Sequence, residues 1–428
     1  MREDYIDTEY EPGPDELVCE YYIEPTDGVS FEKACNHMAG ESSIDTWSDI
    51  STLSPERAQE LKPHVFSIDK ERGTVKVAYK QDLFEIDSVP QILSAIAGNI
   101  MSMKLVKNLR LEDIAFPEDV LNSFRGPKFG LDGVRDLFRV YDRPLVGTIV
   151  KPKVGLSSEQ HAGVAYKSFV GGCDVVKDDE NLTNQKFNAF DKRAQLTLDA
   201  EVKAEKETGE RKMYLCNITA PTCEEMLRRA EVINDLGGKY VMIDIITAGW
   251  SALQTLREAT EDMDLAIHAH RCMHSVMTRN PRHGVNMGTL AKLTRLIGHD
   301  QLHIGTVVGK MHGDVNEVLS LKDECVLNHV PENDEFNILE QEWSNIKPMM
   351  PVASGGLEPG MIPDLYDMFG KDVIMQFGAG IHAHPMGTEA GATACRQSVD
   401  AALKGVPLDE YAGNHKELKS ALDKWSYK

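Results

Sequence analysis

The sequence has no C-x-x-C pair and no closely spaced group of cysteines. Its eight (Cys19, Cys35, Cys173, Cys216, Cys223, Cys272, Cys325 and Cys395) are scattered over 428 residues. That spacing excludes a zinc ribbon or a disulfide-stapled secreted framework and predicts reduced, mostly buried thiols in a cytoplasmic protein. Positive charge is scarce as well. With 46 basic against 68 acidic side chains the formal net charge is −22, so no basic face for nucleic acid or an anionic membrane is expected. No apolar run reaches the ~18–20 residues of a membrane span. The opening MREDYIDTEYEPGPDE is acidic where a secretory leader would be basic and then apolar.

What is present is a 42% share of hydrophobic residues, enough for a sizeable core, distributed in two textures. Residues 1–135 mix short β-like runs (Glu20–Ile23, Gly73–Tyr79) with helical stretches (Phe31–Ala39, Pro90–Ala97), the pattern of a compact α+β domain. From 136 to 428 a regular alternation sets in. Eight β-branched apolar runs, LVGTIVKPK (145–153), CDVVKDDE (173–180), MYLCNIT (213–219), YVMIDIIT (240–247), LAIHAH (265–270), LHIGTV (302–307), KPMMPVAS (347–354) and DVIMQFGAG (372–380), are separated by amphipathic helical stretches. Eight strand–helix units over about 285 residues predict a C-terminal (β/α)8 TIM barrel preceded by the smaller N-terminal domain. No G-x-G-x-x-G follows the first strand, as a dinucleotide-binding sheet would require. A short terminal helix and a frayed end are expected after Gly405.

Barrel enzymes place their chemistry at the C-terminal ends of the strands, and polar residues gather there. Lys151 and Lys153 end strand 1; Lys177, Asp178, Asp179 and Glu180 end strand 2; His268, His270 and Arg271 end strand 5; His303 lies in strand 6. Side-chain alternation puts Lys177 and Asp179 on one face and turns Asp178 to the other as a structural contact. The K-D-D-E run reads either as a solvated ion-pair cluster or as carboxylates holding a hard cation such as Mg²⁺. An ammonium has no lone pair, so Lys177 can join such a site only if deprotonated or chemically converted. Ser354-Gly355-Gly356 and Gly378-Ala379-Gly380, at the ends of strands 7 and 8, suit backbone N–H groups cradling a phosphate. Arg271 and His303 could hold a second anion. Two phosphates flanking Mg²⁺ would describe a sugar bisphosphate.

These same segments, GTIVKPKVGL (147–156), GGCDVVKDDEN (171–181), HAHRCMH (268–274), GTVVGKMHG (305–313), PVASGG (351–356) and QFGAG (376–380), resemble in order the active-site motifs of the ribulose-1,5-bisphosphate carboxylase/oxygenase (RuBisCO) large chain. GESSIDTW (40–47) and AGNIMSMK (97–104) match its N-terminal substrate-contacting segments, and the short tail resembles the archaeal form III type. The resemblance implies Mg²⁺-dependent enolisation of ribulose 1,5-bisphosphate and addition of CO2, or O2 as a side reaction, giving 3-phosphoglycerate in nucleotide salvage. It implies that an activating CO2 forms a carbamate on Lys177, which joins Asp179 and Glu180 as metal ligand and acts as base. Lys151 would protonate and assist enolisation, His270 would handle the C3 hydroxyl proton, and Lys310, on a loop flanked by Gly309 and Gly313, would close over the substrate. Lys153 would hold the intermediate. Arg271 and His303 would bind one phosphate, Gly355, Gly356, Gly378 and Ala379 would line the other, and Ser354 would contact a hydroxyl. Glu41, Thr46, Trp47 and Asn99 would act across a homodimer interface, in a dimer or an oligomer of dimers without a small subunit. Ala379 stands where the family commonly has glycine, so altered phosphate affinity is expected there. The competing readings are a RuBisCO-like enolase or isomerase of another sugar phosphate, a Schiff-base aldolase using Lys151, and a non-catalytic phosphate-binding protein.

Overall fold

In a computed structural model the described residues are 4–45, 52–306 and 315–425. They form two compact units. The first comprises Met1–Gly126, Met273–Gly298 and Leu327–Ile346; the second comprises Pro127–Cys272, His299–Val326 and Lys347–Lys428. Beside the single junction expected at 135/136, the first unit thus ends at Gly126 and takes in two later segments.

The first unit is built on a sheet of β1 (Glu16–Pro25), β2 (His64–Asp69), β3 (Thr74–Lys80), β4 (Val106–Ala115) and β10 (Gly284–Val285), in the order β10-β4-β1-β3-β2. All pairs are antiparallel except β10 with β4. Leu17, Cys19, Tyr21 and Ile23 alternate into the core from β1, opposite Val75, Val77 and Tyr79 of β3. The edge of β4 carries charge inward: Asp113 is buried and accepts from Lys292 Nζ at 2.6 Å. A two-stranded ribbon, β12 (His329–Val330) with β13 (Gln341–Glu342), completes this unit.

The second unit is the expected closed barrel of eight parallel strands: β5 (Leu145–Ile149), β6 (Val175–Lys177), β7 (Met213–Asn217), β8 (Tyr240–Asp244), β9 (Ala266–His270), β11 (Gln301–Gly305), β14 (Met350–Ser354) and β15 (Ile374–Phe377). Seven fall within the runs read from the sequence, and β11 begins one residue before its run, at Gln301. Its floor is apolar. Leu145, Val175, Leu215, Met242, Ala266, Val352 and Ile374 form one buried cluster, sealed from below by Val134 and Phe138 of the helix Gly130–Phe138. Two residues further along the same strand faces the chemistry changes: Val175 is followed by Lys177, Met242 by Asp244, Ala266 by His268 and then His270, Val352 by Ser354. Strand alternation therefore converts an apolar floor into a polar mouth at the C-terminal ends.

Helices follow where their caps predict. Ser157 and Gln160 form a capping box for Ser158–Val170, and Thr222 caps Cys223–Asp235. The tail after Gly405 holds more than the one short helix expected. It carries two helices, Leu408–Ala412 and Lys416–Trp425, and the second is docked through Leu418 N–H to Gln397 Oε1 at 2.9 Å, with Leu418 and Ala421 buried. All eight cysteines are free thiols and six are buried. Among the described residues no helix is long and apolar enough to cross a membrane.

Candidate active site

The K-D-D-E run is anchored from behind. Asp178, turned away from the barrel axis, accepts from Tyr214 Oη (2.6 Å), Arg193 Nε (3.1 Å) and Asn217 N–H (3.0 Å), with His161 Nε2 3.1 Å away. Burial opposes its ionisation, but the Arg193 guanidinium and these hydrogen bonds hold its carboxyl well below the usual range. It is the structural contact that alternation predicts.

With Asp178 fixed, its neighbours are presented to the mouth. Lys177 is buried; its Nζ donates to Asp178 O at 2.7 Å and approaches Met242 Sδ at 3.4 Å. Burial pushes the ammonium down from its ordinary value, against the pull of Glu180, Asp179 and Asp244. Asp179 accepts from Lys151 Nζ at 2.7 Å and from Asn181 Nδ2 at 2.9 Å. Burial disfavours its charge, yet these bonds win and hold it at about 2. Lys153, largely exposed, reaches Glu180 Oε1 at 3.5 Å. The two strand-1 lysines thus each face one of the carboxylates. Because β5 ends at Ile149, they do so from the loop rather than from a strand face.

Across the mouth, His270 Nδ1 lies 2.9 Å from Asp244 Oδ1, and its Nε2 lies 3.8 Å from Glu180 Oε2. Burial and the nearby Lys177 depress the imidazole, while Asp244 works the other way. A bond from ring N–H to a carboxylate fixes the tautomer and leaves Nε2 facing the reaction space. Arg271 follows it, half-buried, with its guanidinium lowered to about 10 by burial. It makes no side-chain hydrogen bond among the described residues, which suits it to an incoming anion. His303 is different. Its Nδ1 is 2.7 Å from Ser354 Oγ and its Nε2 is 2.8 Å from His268 Nε2, so both ring nitrogens are already engaged.

Gly355 and Gly356 have φ of +124° and +72°, a left-handed pair that side chains resist. Gly380 is needed for close approach: a Cβ there would sit 2.3 Å from Leu357 O in the loop after β14. The two glycine segments therefore pack together at adjacent strand ends. Gly378 stands at the N-cap of the short helix Ala379–His382, and Ala379 is exposed.

The oxygen donors fit a hard cation. Asp179 and Glu180 supply two carboxylates, and a carbamate on Lys177 would supply a third oxygen ligand from a group that as an ammonium cannot ligate. The one place among the described residues where three ligating atoms of Asp, Glu, His or Cys converge within 4.8 Å is Asp244, His270 and Cys272. That mixed O/N/S set is unsuited to Mg²⁺.

The second unit thus brings together Lys151, Lys153, Lys177, Asp179, Glu180, His270, Arg271, His303 and Ser354. Glu41 ends the helix Phe31–Glu41 and Asn99 opens a 3₁₀ turn, both in the first unit. Thr46, Trp47 and Lys310, with Gly309 and Gly313, lie outside the described residues. Asp244, Asn181 and Gln301 went unread in the sequence. Asp244 was masked by reading its strand through to Thr247, whereas β8 ends at Asp244 and turns into Ile245–Ala248. A lone acid in an apolar run was the available signal.

The chain is similar to known proteins over nearly its whole length. The family model "Ribulose bisphosphate carboxylase large chain, catalytic domain" matches residues 130–425, and its N-terminal-domain counterpart matches 4–120. The chain is 68% identical over 425 residues to a ribulose bisphosphate carboxylase of Methanosarcina acetivorans, covering 99% of each. Among solved structures it is similar to a dimeric archaeal RuBisCO from Hyperthermus butylicus (TM-score 0.94, 46% identity, 99% of each chain). It also matches an octameric one from Pyrococcus horikoshii (TM-score 0.91, 48% identity, 99% of this chain and 96% of that one).

Proposed function

The chain belongs to the ribulose bisphosphate carboxylase (RuBisCO) large-chain family and is a ribulose bisphosphate carboxylase, and on that premise we propose how its residues divide the reaction. The observation that carries the reading is a buried lysine of lowered pKa, Lys177, flanked by Asp179 and Glu180 at the mouth of the barrel. A buried amine that loses its proton readily is a nucleophile for CO2, and the resulting carbamate is an oxygen ligand and a base. Carbamylated Lys177, Asp179 and Glu180 would hold Mg²⁺. When bound, Mg²⁺ would polarise the substrate carbonyl and stabilise charge developing on the enediolate.

The chain's own residues do the rest. Lys177, as the carbamate, is placed to take the C3 proton. Lys151 rests on Asp179, which orients it, and serves as acid for the carbanion left after C–C cleavage. That ion pair also tells against a Schiff-base amine, which would have to be free. His270, its tautomer fixed by Asp244, receives and returns the C3 hydroxyl proton. Arg271 binds one phosphate, and the Gly355–Gly356 and Gly378–Ala379 backbone binds the other. Lys153 steadies the intermediate and Ser354 meets a hydroxyl. Lys310 closes over the site and orients the new carboxylate, and Glu41, Thr46, Trp47 and Asn99 are supplied by a second copy in a homodimer. O2 competes with CO2 for the enediolate, and the bisphosphate arises from nucleotide salvage in the cytoplasm.

The test is label transfer. With ribulose 1,5-bisphosphate, Mg²⁺ and ¹⁴C-bicarbonate, the enzyme should form two 3-phosphoglycerate per bisphosphate, one in two labelled. Proton exchange at C3 without labelled product would mean an enolase instead.

A further inference from the structure

We propose that His268 and Gln301 are positioning residues that fix the ring tautomer of His303 and thereby set Ser354 to accept, not donate, a hydrogen bond at the substrate. The proposal rests on the reading of Ser354 as a substrate contact and extends it to two residues that touch no substrate.

Four hydrogen bonds carry it. Gln301 Nε2 donates to Tyr240 Oη at 2.9 Å, which turns Gln301 Oε1 toward His268 Nδ1 at 2.7 Å. A carbonyl oxygen only accepts, so His268 carries its proton on Nδ1 and offers a lone pair at Nε2. His303 Nε2, 2.8 Å from that lone pair, must then be the protonated nitrogen of its ring. That leaves a lone pair on His303 Nδ1, 2.7 Å from Ser354 Oγ, so the serine hydroxyl donates inward. Ser354 has one proton, and with it directed at His303 only lone pairs face the mouth.

The arrangement is rigid. Gln301 lies opposite His268 in the β9–β11 ladder, and the two imidazoles meet edge to face at an interplanar angle of 89°. His268 and Gln301 are fully buried and His303 nearly so. Burial holds both rings well below the ordinary histidine value, which leaves each with a single ring proton. The inner end of the chain is a carboxamide, which does not exchange a proton, so the series sets direction and conducts nothing. The substrate group at Ser354 is accordingly a donor, a sugar hydroxyl, rather than a phosphate oxygen or a carbonyl. With partners on both its nitrogens, His303 orients Ser354.

The full-length enzyme labelled with ¹⁵N-histidine reports the tautomers directly by NMR, with resonances assigned from His268 and His303 variants. The expected pattern is His268 protonated on Nδ1 and His303 on Nε2. The reverse pair, or an imidazolium at either ring, overturns the proposal whether or not any variant folds. In Gln301→Met, similar in size but without the acceptor, both rings should show mixed tautomers. KM for ribulose 1,5-bisphosphate should rise about five- to tenfold, the order of one hydrogen bond, with kcat within about twofold. Unchanged KM in a folded Gln301→Met enzyme overturns the proposal. Unchanged KM in Ser354→Ala instead overturns the underlying assignment of Ser354 as a substrate contact, and the two failures are told apart by which variant is silent.

Discussion

Replacing Asp178 by alanine should unfold the enzyme more readily than almost any other single change near the site. The carboxylate and Arg193 are both fully buried. Arg193 keeps the carbonyls of Asn188 (2.9 Å) and Thr183 (2.7 Å) and the Phe190 ring, but no carboxylate, once Asp178 is gone. Breaking a buried ion pair from one side costs roughly 3–5 kcal/mol, because the remaining charge stays desolvated. Tyr214 Oη and Asn217 N–H also lose their acceptor, so the upper half of that range applies, on the order of a thousandfold in the folded-to-unfolded ratio. The loss is measurable from urea unfolding followed by tryptophan fluorescence and by circular dichroism. Because the same residue holds the run between Lys177 and Asp179, CO2-dependent activation should fall in the fraction that remains folded. The double variant Asp178→Leu/Arg193→Met removes both charges and should recover at least half of the lost stability. A single-variant cost below about 1 kcal/mol would refute the reasoning, since the pair would then contribute no more than an exposed one.

Three further outcomes are expected. Lys310→Ala should still exchange the substrate C3 proton with solvent while carboxylation falls at least about a thousandfold, the order of one lost transition-state donor; exchange and product are read in one reaction. Mixing inactive Asn99→Ala and Lys177→Ala chains should restore activity if a second copy completes the site, and verified mixed dimers without activity would place the site within one chain. Glu201 is buried against Tyr214 N–H, and burial raises its carboxyl from 4.5 to about 8. Its folded form holds the proton that the unfolded chain releases, so that stability is present below pH 4.5 and lost as pH rises through 8. Glu201→Gln should therefore match wild type in acid and exceed it above pH 8, by a few kcal/mol at most at roughly 1.4 kcal/mol per unit, seen as a pH-dependent difference in urea midpoint.

The barrel was legible because its strands are buried on both sides and read as continuous apolar runs, bounded by residues such as Lys177 and Ser354 that the mouth requires. The first unit was less so. β4 carries Lys107, Asn108, Arg110, Glu112 and Asp113, which look like a solvated loop until Lys292, almost two hundred residues later, is found paired with Asp113. β10, the edge partner of β4, comes from the stretch between two barrel strands, a pairing that no local pattern announces. At the site, the alternation of β6 carries on past its end at Lys177, so that Asp178 points back to Arg193 and Tyr214 while Asp179 meets Lys151. It does not apply to Lys151 and Lys153, which stand beyond the end of β5 and reach the carboxylates from a loop. The engagement of both His303 nitrogens was invisible too, since it depends on how β9, β11 and β14 stand in register.

The account turns on Lys177 becoming an oxygen ligand, and that is measured most directly by ¹³C NMR of the full-length enzyme with ¹³CO2 and Mg²⁺. One Mg²⁺-stabilised carbamate signal per chain is predicted, appearing in parallel with activity and absent from Lys177→Ala. The same signal surviving in Lys177→Ala, or a fully active enzyme without it, would contradict the assignment.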